Sequence, residues 1–393
     1  MNILLVTTSY PLNPESSSGI FVKRLKKSLD KLCNVEVVCP DDSDTLKREP
    51  GVHCSRYSLK KWQILAHQPG GIPAAVRRDP RFFLFVPFLL ISMMISISRR
   101  LRATDLIFAN WAINAVIAWL PSIMFRKPVI TTFRGEDVRN LDKGVQTFIV
   151  WMALRVSDAV VLVSKDMKAQ LEQRFPRFKR KLFVIPNGVE DLLLDSDIAA
   201  RAPANSVINI LSVASLIPRK DIATLLKAVA CINNTAETKS DIKLDIVGDG
   251  ELRASLEALS YSEGIDGIVK FHGMLSPDKV GASYSESQIF VLPSLYEGRP
   301  NVVVEAMAAG CSVVVSDIDG CRELISNNKN GLLFTGGDYK KLAKSIERVI
   351  SDPQLRVRLG QSARQYVVDN RLSWDGCAGG YFKLFGMLLK KRI

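Results

Sequence analysis

Residues 292–310 read LPSLYEGRPNVVVEAMAAG. The run 289–293 has the short apolar composition of a buried strand and stops at Pro293. A loop with Glu297 and Gly298 follows, and the spacing predicts a helix starting near Asn301. Glu305 then falls about one turn inside that helix, with seven residues between the two glutamates. A helix N-terminus offers backbone N–H groups without intrahelical partners and a partial positive charge, both suited to phosphate. Gly298 permits a close backbone approach. Ionised carboxylates only accept hydrogen bonds, so two of them flanking a phosphate site suit the hydroxyls of sugars. The structural alternative is a helix start that happens to be rich in acidic residues.

Outward from this segment, short Val/Ile/Leu runs alternate with helical patterns. In the first half the strands are predicted at 3–8, 35–39, 105–109, 129–133, 159–164 and 183–185, with helices at 21–31, 112–124, 144–156 and 165–175. The stretch 189–207 breaks the rhythm and reads as a linker. Strands resume at 209–213, 243–247, 268–272, 289–293, 312–316 and 331–334. This is the pattern of an α/β protein with two Rossmann-like, doubly wound parallel-sheet domains facing a cleft, where such sheets bind ligands. The expected division is 1–190, 191–372 and a last helix, 373–393, crossing back to the first domain.

The chain has 393 residues, enough for two domains and two cores. Its net charge of +13 is confined to one half: residues 1–190 hold 29 Lys and Arg against 16 Asp and Glu, and the remainder holds 24 of each. A basic first domain suits an anionic surface such as a membrane; a solvated basic face is the plain alternative. Nucleic acid is not expected, because no aromatic residues interleave with the basic ones. Seven cysteines without a C-x-x-C pair, and only three histidines, predict neither disulfide framework nor metal site. No charged leader with a cleavage site precedes the first strand, so the expected compartment is the cytoplasm. Residues 82–98, FFLFVPFLLISMMISIS, are flanked by arginines and interrupted by Pro87. They predict a buried or interfacial helix rather than a membrane span. The protein would then lie peripherally on the inner face of the plasma membrane.

The ordered motifs resemble those of glycosyltransferase family 4, retaining enzymes with the two-domain GT-B fold. The glutamate pair matches that family's E-x7-E signature. PNGV (186–189), LIPRKD (216–221), VGDGE (247–251), FHGML (271–275), SDIDGCRELI (316–325) and NGLLF (330–334) follow the family's order along nearly the whole chain. The resemblance implies transfer of a sugar from a UDP- or GDP-linked donor to a saccharide or lipid-linked saccharide, in bacterial surface polysaccharide assembly, without cofactor or metal. It implies that Glu297 holds donor-sugar hydroxyls and Glu305 the ribose. The N–H groups at Asn301, Val302 and Val303, beside Gly298, would face the diphosphate. Lys220, aided by Arg219, would neutralise the leaving group. In the first domain, SSSGIFVKRL (16–25) would bring Gly19 toward the diphosphate, and FANWAINA (108–115) would place Trp111 near the acceptor.

Two positions depart from the family pattern. In TFRGED (132–137) Arg134 stands where the family has a histidine, while Gly135 and Asp137 match. Arginine stays protonated and is no general base, but it binds anionic or hydroxyl-rich groups bidentately. Arg134 is therefore expected to hold the donor sugar or the acceptor, with Asp137 on the acceptor side. A structural pairing of Arg134 with Glu136 or Asp137 is the alternative. The second departure is Ala214-Ser215-Leu216 where the family has Gly-Arg-Leu, which removes one phosphate-binding arginine. The rival functions are a non-catalytic or epimerase-like nucleotide-sugar-binding protein of the same fold. A dinucleotide oxidoreductase is disfavoured, because no G-x-G-x-x-G follows the first strand.

Overall fold

A computed structural model of the chain describes residues 1–12, 19–42, 49–66, 71–139, 141, 144–194, 207–235 and 242–390. Residues 16–18 of the Ser/Gly loop, 195–206 of the expected linker, and Lys391 and Arg392 lie outside them. The chain divides into two compact units, Met1–Gly188 with Trp374–Ile393, and Val189–Ser373.

The first unit runs β1 (Asn2–Val6), α1 (Ile20–Leu29), β2 (Asn34–Pro40), β3 (Val52–Ser55), α2 (Gly71–Arg78), α3 (Val86–Ser98), β4 (Leu106–Asn110) and α4 (Ala112–Met124). It continues with β5 (Val129–Phe133), α5 (Gly135–Arg139), α6 (Gly144–Val156), β6 (Ala159–Leu162), α7 (Lys165–Arg174) and β7 (Leu182–Val184). The strands pair in parallel in the order β3-β2-β1-β4-β5-β6-β7. Strands β4, β5 and β6 are buried along their whole length, as a sheet covered on both faces requires. Alternation of side chains feeds two cores. Leu4, Val6, Ile107 and Phe133 pack with the helices α3, α4 and α6. Ile3, Leu5, Phe108 and Ile130 pack with α1 on the other face. The short β3 was not expected: VHCS is brief and half polar, and it pairs only at the edge.

Residues 80–98 are long and apolar enough to cross a membrane by length and composition. In the folded unit they form a 3-10 turn, Pro80–Phe85, and α3. Leu89, Met93 and Ile97 recur every four residues and point into the core. The opposite side, with Phe88, Ile91 and Ile95, is exposed.

Gly19 precedes α1 at φ 75° in the left-handed region. A Cβ there would lie 2.3 Å from the Ser9 carbonyl oxygen. The backbone itself thus demands glycine at this position. Gly19→Ala should destabilise the first unit by at least about 1–2 kcal/mol for the left-handed penalty alone. Urea unfolding checks this, and a midpoint unchanged from wild type contradicts it.

The second unit runs α8 (Asp191–Leu194), β8 (Ile208–Val213), α9 (Ile222–Thr235), β9 (Ile242–Val247), α10 (Arg253–Ser262), β10 (Val269–Gly273) and α11 (Pro277–Glu286). It continues with β11 (Ile289–Leu292), α12 (Asn301–Ala308), β12 (Ser312–Ser316), α13 (Asp319–Arg322), β13 (Leu332–Phe334), α14 (Tyr339–Ser351) and α15 (Pro353–Asp369). Its parallel sheet has the order β10-β9-β8-β11-β12-β13. The start of the expected linker is packed rather than loose. Leu193 is buried in this unit's core, and the Val189 N–H donates to Leu372 O at 2.8 Å. The last helix, α16 (Trp374–Lys390), belongs to the first unit and packs on α1. Its Tyr381 and Phe385 rings lie 4.9 Å and 5.5 Å from Phe108.

In both sheets strand order reverses beside the first strand, between β1 and β4 and between β8 and β11. Ligands of open α/β sheets bind outside the carboxyl ends of the strands at such points.

Candidate functional site

In the second unit the turn after β8 and the loop after β11 lie at that reversal. Pro218–Lys220 form a single 3-10 turn, and the Leu295 N–H donates to Arg219 O at 2.9 Å, tying loop to turn. This brings Lys220 onto Glu297. The Lys220 ammonium donates to the Glu297 carboxylate, and Ser294 Oγ donates to the same carboxylate oxygen at 2.7 Å. Arg219 Nη1 stands 3.8 Å from the other oxygen. Glu297 is buried and Lys220 nearly so, with side chains 8% and 12% exposed. The pair is therefore shielded from the screening that weakens surface ion pairs.

Behind Glu297, a Cβ at Gly320 would lie 2.3 Å from the Glu297 carbonyl oxygen, so glycine lets the start of α13 press on the loop. At Gly298 a Cβ would meet nothing within 4 Å. That glycine leaves open space beside the loop. Helix α12 follows directly, with Pro300 at its N-cap and no side chain capping it. Val302 is half-buried and Val303 buried at its first turn. One turn on, Glu305 Oε2 accepts a hydrogen bond from Tyr284 Oη at 3.0 Å. The Tyr284 ring is buried against Phe290. Cys321 is no nucleophile: burial first, and then the Glu297 carboxylate, push its thiol up to about 12.

In the first unit a polar cluster gathers at the carboxyl ends of β4 and β5. Trp111 joins β4 to α4 at φ 66°, ψ 150°, a region few residues besides glycine occupy. Its N–H donates to Thr132 O at 2.9 Å and its ring meets Phe21 edge-on at 5.5 Å. Such strain costs about 1–3 kcal/mol and collects at functional positions. The Asp137 carboxylate accepts the backbone N–H groups of Arg134 at 2.8 Å and Ala112 at 3.2 Å, fixing the start of α4.

Arg134 is buried, and the side-chain groups that accept its guanidinium hydrogen bonds are neutral amides. Its Nη2 donates to Asn110 Oδ1 at 3.1 Å and its Nη1 to Asn187 Oδ1, and the guanidinium lies 4.2 Å from the Phe21 ring centre. Burial draws its pKa below the usual arginine value. Among the described residues no carboxylate forms an ion pair with it, and its Nε has no hydrogen-bond partner. Asn110 Nδ2 and Asn114 Oδ1 are likewise buried and unpartnered among the described residues. Asp137 accepts a hydrogen bond from the Arg134 backbone N–H, and its charge opposes the pKa-lowering effect of burial; the Glu136 side chain lies outside what is described.

Within each unit, then, predicted residues come together: Arg219, Lys220, Glu297 and Gly298 with the start of α12, and Trp111, Arg134 and Asp137. Gly19 is explained by its own backbone. Tyr284, Ser294, Asn110 and Asn187 were not singled out from sequence. Among the described residues no three His, Cys, Asp or Glu side chains converge as metal ligands.

Residues 18–191 match the family model described as Glycosyltransferase Family 4, and residues 197–366 that of Glycosyl transferases group 1. An uncharacterized glycosyltransferase of Methanocaldococcus jannaschii is 31% identical over 228 residues, 56% of this chain and 57% of that protein. The lipopolysaccharide core biosynthesis glycosyltransferase LpsE of Rhizobium meliloti is 28% identical over 209 residues, 53% of this chain and 58% of that one. Both alignments span little more than half the relative's length. Anabaena HepE, solved in complex with UDP-glucose, superposes with a TM-score of 0.70 at 18% identity, over 100% of both chains.

Proposed function

Because this chain belongs to the family 4 glycosyltransferases, we propose that it transfers a sugar from a nucleotide-sugar donor to a saccharide with retention of anomeric configuration. The observation that carries this is the Lys220–Glu297 pair held beside the uncapped start of α12. A nucleoside diphosphate placed there meets backbone N–H groups, Lys220 and Arg219 on one side. Glu305, steadied by Tyr284, takes the ribose hydroxyls. Glu297 takes hydroxyls of the sugar.

In the reaction the bond from the anomeric carbon to the diphosphate oxygen breaks, and charge builds on that oxygen. Lys220 and Arg219 stabilise it in place, so the proposed chemistry uses no metal. The acceptor hydroxyl attacks from the face the diphosphate leaves, its oxygen bonds to the anomeric carbon, and its proton passes to the diphosphate. The donor is a UDP- or GDP-linked sugar; the UDP-glucose complex of the Anabaena neighbour favours testing uridine first. LpsE's name, a lipopolysaccharide core biosynthesis glycosyltransferase, supports an acceptor from surface polysaccharide assembly; the acceptor we propose is a lipid-linked saccharide at the cytoplasmic face.

Calorimetry with UDP, GDP, ADP and NAD tests the donor. One nucleoside diphosphate should bind, and Glu305→Ala should weaken it about tenfold, the loss of roughly one charge-assisted hydrogen bond. Binding of NAD alone would overturn the transferase reading.

A further inference from the structure

Helices α3, α4 and α6 lie side by side on one face of the first unit and turn their inner stripes into one core. Their outer stripes carry Phe88, Ile91, Trp119, Ile123, Phe148 and Trp151, each between 39% and 61% exposed. Large apolar side chains clustered in this way mark an interaction surface.

Where α4 and α6 end, a cavity of about 660 Å³ opens between them. Trp119, Ile123 and Trp151 line it together with three cations, Arg126, Lys127 and Arg155, and one carboxylate, Asp158. That carboxylate accepts the Val129 N–H at 2.9 Å. The lining is thus net positive, and it combines indole rings with phosphate-binding groups. Helix C-termini favour cations on their own account, which explains the charge but not the exposed indoles. Indoles and arginines at one depth are the chemistry of a bilayer's headgroup layer. The excess of basic residues in the first 190 positions acts in the same direction.

We propose that this cavity takes the phosphate headgroup of an anionic phospholipid, and that the α3–α4–α6 face seats the first unit on a bilayer surface. The apolar stripes then enter the acyl boundary while the cations meet the phosphates. The site is distinct from the polar cluster at Arg134 and does not depend on the transfer reaction.

Flotation of the whole protein with phosphatidylglycerol–phosphatidylcholine vesicles tests it, beside vesicles of phosphatidylcholine alone. The wild type should float with the anionic vesicles, far less with the neutral ones, and come off as salt rises. Lys127→Glu with Arg155→Glu should lower binding at least about tenfold. Phe88→Ser with Phe148→Ser, which leaves the charge intact, should also release the protein. Both variants should keep the wild-type melting temperature and nucleotide binding. Failure of the wild type to float with anionic vesicles overturns the proposal, as does undiminished flotation of both variants. So does light scattering that shows a second copy covering this face, with the dimer lost in the Phe88→Ser, Phe148→Ser variant.

Discussion

Lys220→Ala should lower kcat by about 10²–10³-fold, the scale on which a preorganised charge at a leaving oxyanion acts. The donor KM should change much less, because the diphosphate keeps the backbone groups at α12. The lysine is held on the buried Glu297 carboxylate, which fixes its position beside the loop. The same contact has a stability consequence. Removing the ammonium leaves Glu297 with Ser294 and with Arg219 at 3.8 Å, and breaking a buried pair from one side costs about 3–5 kcal/mol at most. Melting must therefore be followed in parallel. Lys220→Arg, which keeps the charge with another shape, should recover stability and only part of kcat. A folded Lys220→Ala enzyme turning over within a few-fold of wild type would remove this lysine from the chemistry.

Arg134→Met should reduce kcat/KM by at least about tenfold, the loss of one charge-assisted hydrogen bond to a bound substrate group. Its effect on stability should be small. The substitution removes hydrogen bonds to Asn110 and Asn187 and the contact with Phe21, each worth about 1–3 kcal/mol. It also removes the cost of a buried cation that has no carboxylate partner among the described residues, which is of similar size and opposite sign. A charge kept under those terms, with its Nε unpartnered, is suited to a ligand rather than to the fold. Large destabilisation with unchanged kinetics in the surviving protein would show instead that Arg134 is a structural tie.

What the sequence made legible was local. The frame around Glu297 could be read because each piece, a buried strand, a glycine-bearing loop and an uncapped helix start, leaves its mark within a few residues. The two parallel sheets with their flanking helices followed from Val- and Ile-rich runs alternating with helical patterns. Strand β3 escaped because VHCS has no such mark. Tyr284 escaped for a different reason: it reaches Glu305 from another helix, 21 positions away, and nothing in its own neighbourhood announces the contact. Likewise Arg134 stood out as a departure, but its partners did not. The sequence offered Glu136 and Asp137 next door, whereas Asn110 arrives from the end of β4 and Asn187 from the segment that follows β7, which only the sheet brings near. Asp137 shows the converse, a motif residue whose visible work is to hold backbone N–H groups.

Helix α16 sets an order of events for the chain during synthesis. The first unit is the earlier half to emerge, but Trp374, Tyr381 and Phe385 are part of its core and come last. Until they emerge, α1 and Phe108 lack the apolar partners that α16 supplies. The intervening 185-residue second unit (Val189–Ser373) can collapse on its own in the meantime. A ribosome moving at about 5–20 residues per second therefore holds a half-closed first unit for roughly ten seconds or more. Throughout that interval its apolar surface is open to chaperones, and loss of the last turns of the chain would leave it open for good.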